Sequence, residues 1–178
     1  MQDCPLGQPT VYVETYAPEL LFPVPRTMAR DRTGTPANFP FYGEDIWNGY
    51  EISWLNERGK PQIAIAEFRF PCDSPFLIES KSFKLYLNSF NQSMFPSIEA
   101  VEECIRRDIS KIAQTDVFVR LMDPYSVTDS LQNFSGHCLD LLDVAIDTYH
   151  VNPDFLRTGT NNVTETLYTD LLKSSLLS

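Results

Sequence analysis

From Ile98 onward, apolar residues recur at steps of three, four, four and three: Ile98, Val101, Ile105, Ile109 and Ile112. This spacing returns to one face of a 3.6-residue helix and predicts an amphipathic helix after Pro96. Ser97 has the side chain to cap its first turn. Glu102, Glu103, Arg106, Arg107 and Lys111 fall between the isoleucines and form the solvated face. Glu103 and Arg107 stand at i, i+4, a pairing worth about 0.3 kcal/mol. Upstream the period changes to two. Ile46–Leu55 is aromatic and β-branched and predicts a strand, 56–60 predicts a turn around Gly59, and Gln62–Phe70 predicts the returning strand of a hairpin. Ile63 and Ile65 share one face and Phe68 and Phe70 the other, so a β-bulge is expected within this second strand. Phe76–Ile78 leads into a short helix expected over Ser82–Asn91. After the long helix, Val117, Val119 and Leu121 are in phase in a strand over Asp116–Met122, and a fourth strand is expected over about Cys138–Ile146. Thr164–Leu177 fits helix or strand.

The order strand, strand, helix, helix, strand, strand predicts an α+β fold. Its antiparallel sheet comes from two hairpins, with two helices packed on one face. Residues 1–45 are different in texture. They hold Pro5, Pro9, Pro18, Pro23, Pro25, Pro36 and Pro40, seven of the chain's 13 prolines. Proline neither donates to a ladder nor sits inside a helix, so this arm is expected to run over a surface. Its aromatics, among them Tyr12, Tyr16 and Phe22, mark it as packed rather than free.

Length and charge narrow the class. The 178 residues suit one domain, and 14 basic against 24 acidic side chains give a net charge of −10. Such a chain is a poor sequence-independent binder of phosphate backbones or anionic membranes, so neither nucleic acid nor membrane is an expected partner. The cysteines at 4, 72, 104 and 138 are too sparse for a disulfide framework. With no basic-then-apolar leader at residues 1–8, the cytoplasm is the expected compartment. Two histidines leave too few ligands for zinc, so no metal site is expected. No Gly-rich dinucleotide turn, phosphate-binding loop or nucleophile elbow occurs.

The densest polar stretch between apolar residues is Leu77-Ile78-Glu79-Ser80-Lys81-Ser82-Phe83-Lys84. At a strand-to-helix junction, Ser80 or Ser82 can cap the helix, and its first-turn N–H groups attract anions. Lys81 or Lys84 adds a point charge for a phosphate. Glu79 suits the paired N–H donors of a planar, guanine-like edge.

These residues carry a resemblance. Asp45-Ile46-Trp47, Tyr50-Glu51, Ser53-Trp54-Leu55-Asn56 and the run Leu77–Gln92, with Glu79-Ser80-Lys81-Ser82-Phe83-Lys84-Leu85-Tyr86-Leu87 at its centre, resemble the NADPH-dependent 7-cyano-7-deazaguanine reductases of queuosine biosynthesis. More narrowly, they resemble the N-terminal module of the long, two-module form. Val24-Pro25-Arg26, Arg30-Asp31 and Leu171-Leu172-Lys173-Ser174 fit as well. The resemblance implies a tunnelling-fold (T-fold) module over 46–178, following the arm over 1–45. It implies that Ile78, Glu79 and Ser80 touch the deazaguanine substrate, and that Ser80 and Lys81 touch NADPH. In that family a cysteine thiolate adds to the nitrile carbon to give a thioimide, hydride arrives twice, and a carboxylic acid supplies protons.

The departures bear on activity. Leu176 stands where the two-module family has its nucleophilic cysteine, and the proton donor would lie beyond Ser178. In the one-module form the cysteine falls near Leu55 and its aspartate near Gln62, and neither is present. A His-Glu substrate pair would fall near Ile98-Glu99, leaving only the glutamate. An Arg-Gly-Gly segment for NADPH would fall near Arg120-Leu121-Met122, without the glycines. No catalytic residue is therefore assigned. The expected chain is a substrate- and NADPH-binding module, truncated at the junction to a C-terminal catalytic module and inactive alone. Its expected partners are that module or a full-length reductase, with homo-oligomers built in the same way. The alternative is a non-catalytic deazapurine-binding or reductase-associating protein of the same fold.

Overall fold

A computed structural model of the chain describes residues 13, 15–34, 42–126, 136–150, 152–155, 157 and 159–169. The chain divides into two compact units, Met1–Thr128 and Asp129–Ser178.

The first unit is built on a three-stranded antiparallel sheet in the order β2-β3-β5, from β2 (Glu44–Leu55), β3 (Pro61–Pro71) and β5 (Phe118–Met122). The hairpin turn is where it is expected, with Gly59 at φ 74°, a left-handed conformation that glycine adopts without strain. Helices α2 (Ser80–Asn88) and α3 (Ile98–Ala113) cover one face. Ser97 caps α3 by accepting from the Ala100 N–H at 3.3 Å. Val101, Ile105 and Ile109 are fully buried, and Ile98 and Ile112 pack against the same core. Ala64, Ala66, Phe68 and Phe70 meet them from β3, Ile52 and Trp54 from β2, and Val119 and Leu121 from β5.

Three expectations change. The bulge lies in β2, not β3. Gly49 faces Ala66 and Ile52 faces Ala64, so three steps on β2 match two on β3. Strand β3 keeps one phase, with its even residues from Ala64 to Phe70 buried. Ile63 and Ile65 lie on the other face, which no helix among the described residues covers. There Ile46, Ile63 and Phe118 are each about half exposed. Gly49 sits where a Cβ would meet Ile52 Cδ1 at 3.2 Å and Phe68 at 3.4 Å. Second, Glu103 pairs with Arg106 at 2.8 Å instead of Arg107, which turns to Asp108. Third, no second hairpin forms among the described residues. The expected fourth strand is reduced to β6 (His137–Cys138), followed by a 3-10 turn over Leu139–Leu141. In the second unit β6 pairs in parallel with β7 (Leu167–Tyr168). The cause is legible in the side chains. Leu139 and Leu141 take one phase and Leu142, Val144 and Ile146 the other, so no register buries them all on one face.

The arm is more regular than its prolines predict. After a 3-10 turn over Pro18–Leu20, β1 (Pro23–Pro25) pairs antiparallel with β4 (Phe76–Ile78), and α1 (Thr27–Thr33) follows. The prolines stand at the ends of a three-residue strand in a two-stranded ladder, where a missing donor matters least. Ala17 and Leu21 are buried. The arm is stitched along α2, with the Ala17 N–H donating to Ser89 Oγ at 3.1 Å and the Phe22 N–H to Ser82 Oγ at 3.1 Å.

Candidate ligand-binding site

The strand-to-helix junction between β4 and α2 places Ile78, Glu79, Ser80 and Lys81 in sequence, but in different surroundings. Ile78 is buried and pairs with Pro23 of the arm. Glu79, only 8% exposed, is itself the cap of α2. Its Oε1 accepts from the Lys81 N–H at 2.8 Å and its Oε2 from the Ser82 N–H at 2.7 Å. Neither Ser80 nor Ser82 caps the helix, as the residue types led one to expect. Ser82 instead donates its hydroxyl to the Glu79 carbonyl at 2.7 Å. Two of the first-turn N–H groups expected to attract an anion are thus already paired. The Ser80 hydroxyl also donates to Oε1, at 3.5 Å. A carboxylate offers about four acceptor directions, so Glu79 keeps capacity for a further donor.

Glu79 borders a cleft of about 630 Å³ roofed by the arm, with Phe22, Val24, Met28 and Leu77 among its apolar walls. Two arginines hold this roof to the β3–β4 loop. Arg26 donates to Ser74 Oγ at 2.8 Å and to the Pro71 carbonyl at 3.0 Å, and pairs with Asp45. Arg30 donates to the Cys72 carbonyl. Ser80, one residue on, is exposed and opens on a second cleft of about 410 Å³ between α2 and the bulge of β2. Lys84 and Asn88, one and two turns along α2, share that cleft with Trp47, Tyr50 and Glu51. Of the residues singled out by the resemblance, Glu79 and Ser80 thus border two different clefts on either side of the helix start, and Ile78 and Lys81 line neither of them. Leu171–Ser174 and Leu176 lie outside the described residues.

Of the positions near Leu55, Gln62 and Ile98 that the resemblance points to, two come together. Gln62 and Ile98 line a third cleft with Trp54 and Phe95. Among the described residues, no cysteine borders any of the three clefts.

One polar cluster is absent from the sequence expectations. Asp108, 8% exposed, accepts at Oδ2 from the hydroxyls of Tyr16 and of Tyr86, the latter at 2.8 Å. At Oδ1 it accepts from Arg107 Nε and Nη2, both at 3.1 Å. Arg107 also donates to the Tyr16 oxygen at 3.1 Å. Burial first, then the Asp108 carboxylate, pushes both tyrosine hydroxyls well above their ordinary range. Burial likewise pushes the neighbouring Cys104 thiol up. The signal was present in the helix pattern. Asp108 lies three residues after Ile105 and one before Ile109, on the buried side of the stripe, where an aspartate needs partners.

Comparison with known proteins follows this geometry. Residues 12–121 match the family model described as nitrile reductase, 7-cyano-7-deazaguanine-reductase N-term. The chain is 52% identical over 97% of its length to an NADPH-dependent 7-cyano-7-deazaguanine reductase of Azoarcus sp. (strain BH72), of which it covers 62%. The values are the same for the protein of that name from Dechloromonas aromatica (strain RCB). For the one from Burkholderia thailandensis they are 50% identity, 96% of the chain and 64% of the relative. The chain therefore spans a little under two thirds of the length of these relatives. The matched segment holds the three-stranded sheet but for Met122, both covering helices and the Glu79 junction, and the chain belongs to the family of 7-cyano-7-deazaguanine reductase N-terminal modules.

Proposed function

We propose that this chain is the ligand-binding N-terminal module of an NADPH-dependent nitrile reductase. The reaction converts 7-cyano-7-deazaguanine to 7-aminomethyl-7-deazaguanine, a step of queuosine biosynthesis in the cytoplasm. The observation that carries the reading is Glu79. Its carboxylate is buried, oriented by two backbone N–H groups, and still borders an apolar cleft. A planar deazaguanine ring suits such walls, and its N–H edge suits the acceptor directions that Glu79 retains. Ile78, buried in the core, fixes the strand end that presents this carboxylate to the substrate, while Ser80, on the other cleft, and Lys81 face the nicotinamide nucleotide.

Reduction of the nitrile to an amine takes four electrons, delivered as two hydrides, together with two protons. NADPH, when bound, supplies the hydrides. The residues of this chain fit the nucleotide: Ser80 offers an exposed hydroxyl, and the cleft it opens on holds an exposed ammonium and an exposed aromatic ring. The part of this chain is to bind and orient. Its described cysteines do not border the clefts, and the Cys104 thiol is buried with its pKa pushed up, the opposite of an activated nucleophile. The attacking thiolate and proton donor then come from a partner module, and the half-exposed apolar residues on the open sheet face support association with that module or a second copy. The same lack of a placed thiol favours a second reading, a deazapurine-binding protein that joins a reductase without chemistry of its own.

The test is NADPH oxidation followed by absorbance, with the nitrile base and the chain alone. No turnover above background is expected, while calorimetry registers binding of the base. Turnover by the chain alone overturns the division of labour. Absence of binding to either ligand overturns the assignment.

A further inference from the structure

The roof of the Glu79 cleft is thinly laddered. Strand β1 has three residues, and Pro23 and Pro25 carry no N–H, so Val24 alone can donate to β4. Yet the arm braces the carboxylate that it covers. The Phe22 carbonyl accepts the Glu79 N–H at 2.9 Å. The Phe22 N–H donates to Ser82 Oγ at 3.1 Å, and Ser82 Oγ in turn donates to the Glu79 carbonyl. A displacement of the arm is therefore felt at Glu79. What fixes the arm is concentrated in Arg26, at the corner where β1 ends and α1 begins. Its N–H donates to the Pro75 carbonyl at 3.1 Å. Its side chain is 11% exposed and reaches three partners at once. Nε donates to Ser74 Oγ at 2.8 Å, Nη2 donates to the Pro71 carbonyl at 3.0 Å, and Nη2 also pairs with Asp45 of β2. Ser74, 1% exposed, donates to the carbonyl of Phe76, the β4 residue opposite Pro25. Met28 and Ala29, just past this corner, line the cleft.

A planar fork with donors on several edges can serve these acceptors together, and an ammonium cannot. We infer that Arg26 is the positioning residue of the base cleft: by tying the β1–α1 corner to Ser74, Pro71 and Asp45, it holds the roof over the bound base and sets how long the base stays. This rests on the reading that the Glu79 cleft takes the deazaguanine ring. Arg26 acts through the Phe22 and Met28 walls and through the backbone of Glu79. The base is uncharged, so the geometry of the guanidinium matters here and its charge does not. Ser74 and Asp45 do not line the cleft, so they reach the base through Arg26.

The experiment immobilises the full chain and follows 7-cyano-7-deazaguanine by surface plasmon resonance. Binding capacity reports the folded fraction, and the dissociation rate reports the roof. A ligand held by a roof is tuned in its release. Arg26→Lys keeps the charge and is expected to speed release about tenfold, the scale of one lost charge-assisted contact, with capacity unchanged. Asp45→Asn and Ser74→Ala are expected to speed release by smaller factors. Arg106→Lys, on the exposed side of α3, leaves it unchanged. Reduced capacity with the natural release rate in Arg26→Lys marks a structural role alone and overturns the inference. If Arg26→Lys does not fold, the other two variants decide, and natural release in both overturns it. If release is natural in all three while Glu79→Gln weakens binding, the inference falls and the reading of the cleft stands. If the natural chain does not bind the base, or Glu79→Gln binds it equally well, that reading falls and the inference with it.

Discussion

Asp108 takes hydrogen bonds from the arm (Tyr16), from α2 (Tyr86) and from its own helix (Arg107). A single carboxylate therefore joins three segments, and its loss strands buried donors at a cost of roughly 3 kcal/mol. Both tyrosine hydroxyls are held neutral, with pKa values raised above the ordinary value near 10. The sign follows from proton counting. Above about pH 10 the unfolded tyrosines release protons that the folded ones keep, so stability is intact below that pH and falls as pH rises. Denaturation midpoints measured from pH 8 to 11.5 should decline at the alkaline end, and less steeply in Tyr16→Phe. An equal slope in the variant would show that this hydroxyl is not coupled to folding. Residue identity alone exposed part of this. Ser97 was recognisable as a cap from the proline before it and the stripe after it. Glu79 was recognisable as special, but its capping bonds were not, because glutamate rarely caps. Tyr16 and Asp108 are 92 positions apart, and no local pattern links them.

At the scale of elements, the hydrophobic period located α3, the hairpin and β5, because α3, β3 and β5 each keep one phase against one core. The apolar pattern points to a bulge in β3 while the structure has it in β2, for a physical reason. Ile63 and Ile65 are as apolar as buried residues, and an open sheet face tolerates them, so composition alone marked the wrong face as covered. The structure makes Phe68 a junction, fully buried and packed on Phe83 of α2 at 4.9 Å between ring centroids. Phe68→Ala should cost about 3–5 kcal/mol in urea denaturation, with a lower midpoint. Ser97→Ala should cost about 1 kcal/mol, since only the Ala100 N–H loses its partner. Comparable losses for the two would contradict a core centred on β3 and its covering helices.

At the scale of the whole chain, the fold class was legible, and the matched segment carries the sheet, both helices and the signature junction. The fourth strand was not legible, because its leucines, valine and isoleucine fit a strand only when the change of phase at Leu142 is ignored. The separation of Glu79 and Ser80 into two clefts was not legible either, since a linear motif does not say which side of a helix start each residue faces. That division gives the account its central claim: Glu79 serves one cleft and Ser80 the other. The most direct test is calorimetric titration of the chain with 7-cyano-7-deazaguanine, comparing the natural protein with Glu79→Gln at a temperature where both are folded. The amide keeps an acceptor for the cap but loses the charged acceptor pair, so affinity should fall by about tenfold or more, matching the ~1–3 kcal/mol of badly paired buried donors. Equal affinity for the two proteins would contradict the claim and leave Glu79 as a helix cap alone.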